Sequence, residues 1–249
     1  MKVIDLFSGI GGFSLGLEST GAFQTIAFCE QDRFCQAVLR KHWPGIPIHP
    51  DVKTFDFQGE CDVITGGYPC TPFSVAGKQK GFEDDRHLWP AMFEIVAQKK
   101  PSWVICENVY GHISMGVDTV LLDLASENYT CLPFVAGACA VNAPHRRQRI
   151  FVIARKNVAN PDDPRNRTSQ RRVNRDGQKI DEGREEQPQS QLGRLGQDAG
   201  TQSWATEPNV GRVADGVPNR VDRLKALGNA VVPQIVTQIG KAIIAAEQQ

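Results

Sequence analysis

Val3-Ile4-Asp5-Leu6-Phe7-Ser8-Gly9-Ile10-Gly11-Gly12-Phe13 is an apolar run that breaks into a glycine-rich turn and re-emerges as a helical pattern over Gly12 to Ser19. A strand that passes into a helix through glycines turns backbone N–H groups and the helix start toward a ligand, which implies a nucleotide-like cofactor. The spacing is not the dinucleotide pattern G-x-G-x-x-G, because Ser14 stands in the third glycine's place. Taken alone, the turn is equally compatible with a tight bend that binds nothing. Glu30 adds to the first reading. It ends the second β-rich run about 20 residues on, where a carboxylate accepts hydrogen bonds from ribose hydroxyls.

The same alternation continues outward. Thr25 to Glu30 precedes a helical pattern over Arg33 to Trp43, Asp62 to Thr65 precedes one over Leu88 to Gln98, and Trp103 to Glu107 precedes one over Val117 to Ala125. Short apolar runs alternating with helices predict an α/β fold with a mostly parallel sheet. Tyr129 to Val135 and Arg149 to Ala154 follow each other with no helix between them, and predict a closing antiparallel pair. From Lys156 to about Asn209 there is no Phe, Tyr, Cys or Met, so this stretch is expected to form an irregular insert with little core of its own. Structure is expected to resume at Arg223-Leu224-Lys225-Ala226-Leu227-Gly228-Asn229 and to end in an amphipathic helix from about Pro233 to Ala246. Asp51 and Asp62 precede later segments and are candidates to line the cleft, Asp62 also being readable as a strand-edge charge.

After Asp62-Val63-Ile64-Thr65 comes Gly66-Gly67-Tyr68-Pro69-Cys70-Thr71-Pro72-Phe73-Ser74. This places one thiol just past a strand, between two prolines that restrain the backbone and beside glycines that permit close approach of a substrate. A presented nucleophile is one reading; a small buried hydrophobe is the other.

The 249 residues, 41% of them hydrophobic, suffice for one sizeable core, and no apolar stretch reaches the ~18 residues of a membrane span. Met1-Lys2 leads straight into the first run without a signal-peptide pattern, so a cytoplasmic location is expected. Seven cysteines without a C-x-x-C pair argue against a disulfide framework or a structural zinc site. None of the five histidines forms a recognisable ligand pair. Lys and Arg balance Asp and Glu at 28 each, so binding to a nucleic acid would have to rely on a local patch.

Together these segments resemble the DNA cytosine-C5 methyltransferases over Val3 to Arg155 and Leu224 to about Lys241. Asp5-Leu6-Phe7-x-Gly9-x-Gly11-Gly12 resembles that family's S-adenosylmethionine loop, Glu30-x-Asp32 its acidic second motif, and Pro69-Cys70 with Phe73-Ser74 its catalytic loop. Gly77-Lys78-Gln79-Lys80-Gly81-Phe82 and Arg86 resemble that loop's mobile continuation, and Glu107-Asn108-Val109 resembles the glutamate motif. His145-x-Arg147-x-Arg149 resembles the arginine motif, with His145 where Gln is usual, and Gly228-Asn229-Ala230-Val231-Val232-Pro233 resembles the last motif.

The resemblance implies a class I S-adenosylmethionine-dependent methyltransferase fold (Rossmann-like) and double-stranded DNA as partner. Residues 1–155 would form the cofactor-binding catalytic domain, 156–222 a short target-recognition or irregular insert, and 223–249 a segment returning to the catalytic domain. Phe7, Gly9, Gly11, Gly12, Glu30, Asp51 and Asn229 are then the expected cofactor contacts. Cys70 is the expected nucleophile, adding to cytosine C6 so that C5 becomes enamine-like. Glu107, whose role favours a raised pKa, is expected to hold a proton at N3. Arg149, and secondarily Arg147, would bond the base's O2 or orient Glu107; flanking surface arginines are the competing reading. Reaching the target carbon requires the base to leave the duplex, for which Pro69, Ser74, Lys78 and Gln79 are the expected substrate contacts. No metal is expected, and the chain is expected to act as a monomer.

Two alternatives compete. An RNA cytosine methyltransferase on the same framework would carry a Cys-Phe-Thr signature before the last motif, and this chain has none. A catalytically silent DNA-binding relic would fit the short insert, which carries no clear arginine-rich ninth motif, but not intact Cys70, Glu107, Arg147 and Arg149. Within the insert, Arg165, Arg167, Arg171, Arg172 and Arg175 precede the acids Asp181, Glu182, Glu185 and Glu186. That segregation suggests a basic DNA-facing arm, with a solvated surface loop as the alternative. Restriction protection, phage self-modification and orphan marking would all use the same catalytic domain.

Overall fold

The structure, a computed structural model, describes residues 1–69, 88–114, 116–157 and 220–248. Cys70, Ser74, Lys78, Gln79 and the arginine-bearing insert lie outside the described residues.

Among these the elements run β1 (Lys2–Leu6), α1 (Gly12–Glu18), β2 (Gln24–Cys29), α2 (Arg33–His42), β3 (Ile48–His49), β4 (Val63–Gly66), α3 (Trp89–Lys99), β5 (Trp103–Val109), α4 (Val117–Ser126), β6 (Tyr129–Ala136), β7 (Arg149–Lys156), α5 (Arg220–Asn229) and α6 (Pro233–Glu247). The strands form one sheet in the order β3-β2-β1-β4-β5-β7-β6. The first five are parallel, while β7 pairs antiparallel with both β5 and β6. The α/β alternation and the closing antiparallel pair expected from the sequence are therefore present, with β7 inserted between β5 and β6.

Because successive strand side chains point to opposite faces, each central strand feeds two cores. Ile4, Leu6, Ile64, Val104 and Cys106 pack against Trp89, Met92, Ile95 and Val96 of α3 and Val120 and Leu124 of α4. On the other face Val3, Val63, Trp103, Ile105 and Phe151 meet Phe13 and Leu17 of α1 and Ile235, Val236, Ile239 and Ile243 of α6. Strands buried on both faces read as continuous apolar runs, which is why the sequence shows Val63-Ile64 and Trp103-Val104-Ile105-Cys106 without alternation.

The C-terminal segment belongs to the same compact unit as Met1–Asn157. The close approach of α6 to α1 depends on Gly16, where a Cβ would stand 2.5 Å from the Pro233 carbonyl oxygen and 2.6 Å from Val236 Cβ. Thr237 Oγ1 stands 3.0 Å from the Gly16 carbonyl oxygen, to which it donates.

One strand is not among the expected runs, and the two readings of Asp62 separate. β3 has two residues, too few to show a period, and exists because Phe28 and Cys29 offer it a partner edge. Asp62 does not line a cleft: it sits at the amino end of β4, where its carboxylate accepts from the Lys2 N–H at 2.6 Å, so the strand-edge reading applies.

Between β1 and β4 the chain changes its winding direction, since β2 and β3 extend the sheet one way and β4 and β5 the other. Ligands of such sheets bind outside the carboxyl ends of the strands at this switch. Leu6 pairs with Gly66, so the glycine turn after β1 and the Gly67-Tyr68-Pro69 segment leading toward Cys70 start side by side.

Candidate active site

The glycine turn is held from below by a buried acid. Asp5, fully buried at the end of β1, accepts from Thr65 Oγ1 at 2.7 Å and Ser14 Oγ at 2.9 Å. Burial pushes its carboxyl up to about 7 despite those two donors. The turn itself requires left-handed backbone at Gly9 (φ 54°) and Gly11 (φ 84°), and Phe7 adopts φ 52° between them and β1. At Gly11 a Cβ would also stand 2.6 Å from the Trp43 ring, whereas at Gly9 it would meet nothing within 4 Å. The turn is thus packed on one side and open on the other.

Glu30, one residue past β2, clasps this turn. Its Oε2 accepts from the Gly9 N–H and its Oε1 from the Asp32 N–H, both at 2.7 Å. Each oxygen retains a lone pair, so the half-buried carboxylate can still accept from a ligand hydroxyl. Asp32 caps α2 by accepting from Phe34 and Cys35 N–H groups, and the Lys225 ammonium at 3.0 Å holds its carboxyl below the ordinary range. Asp51 is exposed after β3 and accepts from the Lys53 N–H at 2.9 Å. The open turn and the Glu30 acceptor suit a ligand with ribose hydroxyls.

Across the switch, β5 carries Glu107 beside β4. Cys106 pairs with Gly66, and a Cβ on Gly67 would stand 3.2 Å from Glu107 Oε2; the missing side chain there leaves the carboxyl room. Glu107 is 8% exposed. Burial pushes its carboxyl up to about 7, against the pull of Arg149 and Arg147. Arg149 Nε lies 3.0 Å from Glu107 Oε1, yet that oxygen is buried without a hydrogen bond, so the pair is close but not well directed. A buried carboxyl half-protonated near neutrality can hold a proton on a ring nitrogen.

The arginines separate in space. Arg149, in register with Val109 and Ala136, faces Glu107. Arg147, at φ 33°, donates through Nη2 to the carbonyls of Gly228 and Ala230, both at 2.7 Å. Asn229 lies between those carbonyls and is exposed. Val231 then covers Gly12: a Cβ on that glycine would stand 2.7 Å from Val231 Cγ1. Arg147 therefore ties the last motif to the loop before β7, and the last motif leans on the start of α1.

Sequence reasoning passed over the groups that support the site. Asn108 Nδ2 donates to the Tyr68 carbonyl at 3.2 Å, and the Tyr68 hydroxyl lies 2.9 Å from His112 Nε2. A tyrosine where the chain leaves a strand and a histidine one turn past another were the visible signals, but nothing in one dimension joins residues 44 positions apart. Among the described residues no group of three or more His, Cys, Asp or Glu could hold a metal, and no helix is long and apolar enough to cross a membrane.

Residues 1–209 match the family of C-5 cytosine-specific DNA methylases. The chain is 35% identical over 166 residues to the type II methyltransferase M2.BsuMI of Bacillus subtilis, covering 62% of this chain and 42% of that protein. It is 34% identical over 169 residues to M.HhaI of Haemophilus parahaemolyticus, covering 64% and 50%. The chain thus spans about half the length, or less, of these curated relatives. Among solved structures it is similar to an E. coli prophage protein described as a DNA modification methyltransferase, with a TM-score of 0.52 and 29% identity over 63% of this chain and 47% of that one. A Spodoptera frugiperda DNMT2 variant shares the fold, with a TM-score of 0.54 and 23% identity over 64% and 51%. The doubly wound sheet, the glycine turn and the match over residues 1–209 agree: the chain belongs to the C-5 cytosine-specific DNA methylase family.

Proposed function

We propose that the protein methylates carbon 5 of a cytosine in double-stranded DNA, with S-adenosylmethionine as donor. The observation that carries this reading is Glu107, a buried carboxyl raised to about 7 that lies 3.0 Å from Arg149 and beside the strand end that leads toward Cys70. The Cys70 thiolate adds to C6 of the ring, and the electron pair displaced toward N3 is met by the proton that Glu107 holds there. C5, now enamine-like, takes the methyl group; water or hydroxide entering the site takes the C5 proton, the electron pair of that C–H bond forms the C5–C6 double bond and expels the Cys70 thiolate, and N3 returns its proton to Glu107, restoring the aromatic ring. S-adenosylmethionine supplies the electrophilic methyl on its sulfonium, a transfer that needs no metal. Arg149 orients Glu107 and donates to the base's O2, and Arg147 acts beside it by holding the last motif in place. Pro69, Ser74, Lys78 and Gln79 contact the DNA around the flipped base.

Phe7, Gly9, Gly11, Gly12, Glu30, Asp51 and Asn229 are the proposed cofactor contacts. Residues 1–155 with 223–249 would supply the chemistry and 156–222 the target choice, in a cytoplasmic monomer. The test is transfer of labelled methyl from S-adenosylmethionine to duplex DNA and, in parallel, to RNA. Label at cytosine C5 of DNA is expected; label in RNA alone, or in neither, overturns the reading.

Glu30→Ala is expected to weaken S-adenosylmethionine by about 1–3 kcal/mol, since ribose hydroxyls lose a charged partner and the N–H groups of Gly9 and Asp32 lose theirs. Glu30→Gln keeps one acceptor oxygen and should lose less. Titration calorimetry showing equal affinity for wild type and Glu30→Ala removes Glu30 from the site.

A further inference from the structure

We propose that Tyr68 and His112 form a positioning pair that sets the chain leading to Cys70 against the Glu107 strand. The inference rests on the reading of Cys70 and Glu107 as the reacting groups. Tyr68 stands two residues before Cys70 and His112 five residues after Glu107, at the carboxyl ends of the neighbouring strands β4 and β5. Both are buried, at 4% and 5% exposure. The Tyr68 hydroxyl and His112 Nε2 are 2.9 Å apart and their rings meet edge to face at 5.6 Å.

Core packing asks only for the tyrosine ring, which lies 5.2 Å from Trp89; a phenylalanine would fill that space. A buried hydroxyl and a buried imidazole each carry a desolvation cost that a hydrogen bond between them offsets. The polar pair therefore adds direction, not volume. It also closes a ring of contacts. The Tyr68 carbonyl accepts from Asn108 Nδ2, and Asn108 Oδ1 accepts from the Val109 N–H at 2.8 Å, so Tyr68 is held at its backbone by the residue after Glu107 and at its tip by the turn that follows β5. Gly116 makes room for this: a Cβ there would stand 2.7 Å from His112 Cε1. With both ends of Tyr68 fixed, the segment Gly67-Tyr68-Pro69 is held relative to the Glu107 strand, and catalysis is sensitive to displacements of an ångström between reacting groups.

Tyr68→Phe removes one hydroxyl and keeps the ring. In the full chain with S-adenosylmethionine and duplex DNA it should slow single-turnover methyl transfer about tenfold, leaving cofactor affinity within about twofold and lowering the thermal midpoint by only about 2–8 °C, the cost of the hydrogen bond that buried His112 loses. His112→Gln, which can still bond the hydroxyl, should retain most of the rate. Amide hydrogen exchange, read without any reaction, should quicken in Tyr68→Phe both in residues 66–69 and in 108–113. If wild type transfers no methyl to DNA, the proposed reaction fails, and the exchange measurement still decides the pair. Exchange unchanged in 108–113, or, in an active enzyme, a rate within threefold of wild type or a loss no larger than the unfolded fraction explains, overturns the positioning role.

Discussion

Cys70→Ala is expected to abolish methyl transfer, lowering the single-turnover rate by ~10⁴-fold or more, the scale on which enzymes respond to loss of a covalent nucleophile. DNA carrying 5-fluorocytosine should trap the wild-type enzyme as a stable adduct, because fluorine at C5 cannot leave as a proton does and the Cys70–C6 bond cannot be released. The alanine variant should form no adduct and should bind S-adenosylmethionine as wild type does, since the proposed cofactor contacts surround the turn after β1. Denaturing electrophoresis reads the adduct directly. An alanine variant that is still trapped, or still methylates, would mean that another group is the nucleophile.

The second large effect concerns Glu107. Burial pushes its carboxyl up to about 7 from an ordinary 4.5, so it is protonated below neutrality, half-protonated near pH 7 and ionised above. The wild-type kcat/KM should therefore fall as pH rises through about 7. Glu107→Gln cannot pass a proton to N3 and should lose about 10²–10⁴-fold together with that alkaline limb. Stability carries the same signature. The folded state binds this proton more tightly than the unfolded chain, so the contribution is complete below pH 4.5 and is lost as pH rises through about 7. Between pH 5 and pH 8 the Gln variant should gain on the order of 2–3 kcal/mol relative to wild type in denaturant titrations. Asp5, also raised to about 7, slopes both proteins alike and cancels in the difference. Equal pH dependence in the two proteins would show that Glu107 is an ordinary, ionised carboxylate.

Most of the architecture was legible in one dimension because it is written in local periodicity. The paired runs Thr25–Glu30 and Arg33–Trp43, or Trp103–Glu107 and Val117–Ala125, lie within two residues of the observed β2, α2, β5 and α4, since strand and helix periods are properties of neighbouring residues. The parallel sheet followed from the same pattern, as helices between strands enforce crossover connections. Elements with little periodic signal escaped: β3 needs the edge of β2 to exist at all.

The stretches Asp5–Gly12, Glu30, Cys70, Glu107 and Arg149 stand out in the sequence because each pairs a reactive or conformationally permissive residue with the end of an apolar run; of these, the structure describes the glycine turn, Glu30, Glu107 and Arg149 at strand ends, and their chemical roles are those proposed above. What those residues contact was not readable. Only the fold shows that the Glu30 oxygens clasp the N–H groups of Gly9 and Asp32, that Arg147 turns to the carbonyls of Gly228 and Ala230, and that Tyr68 reaches His112. These contacts join residues from 2 to 83 positions apart. Residue type and local period determine which strands and turns form; tertiary packing decides which side chains lose their water, and it is that loss at Glu107 that raises an ordinary carboxyl to the range where it can keep a proton.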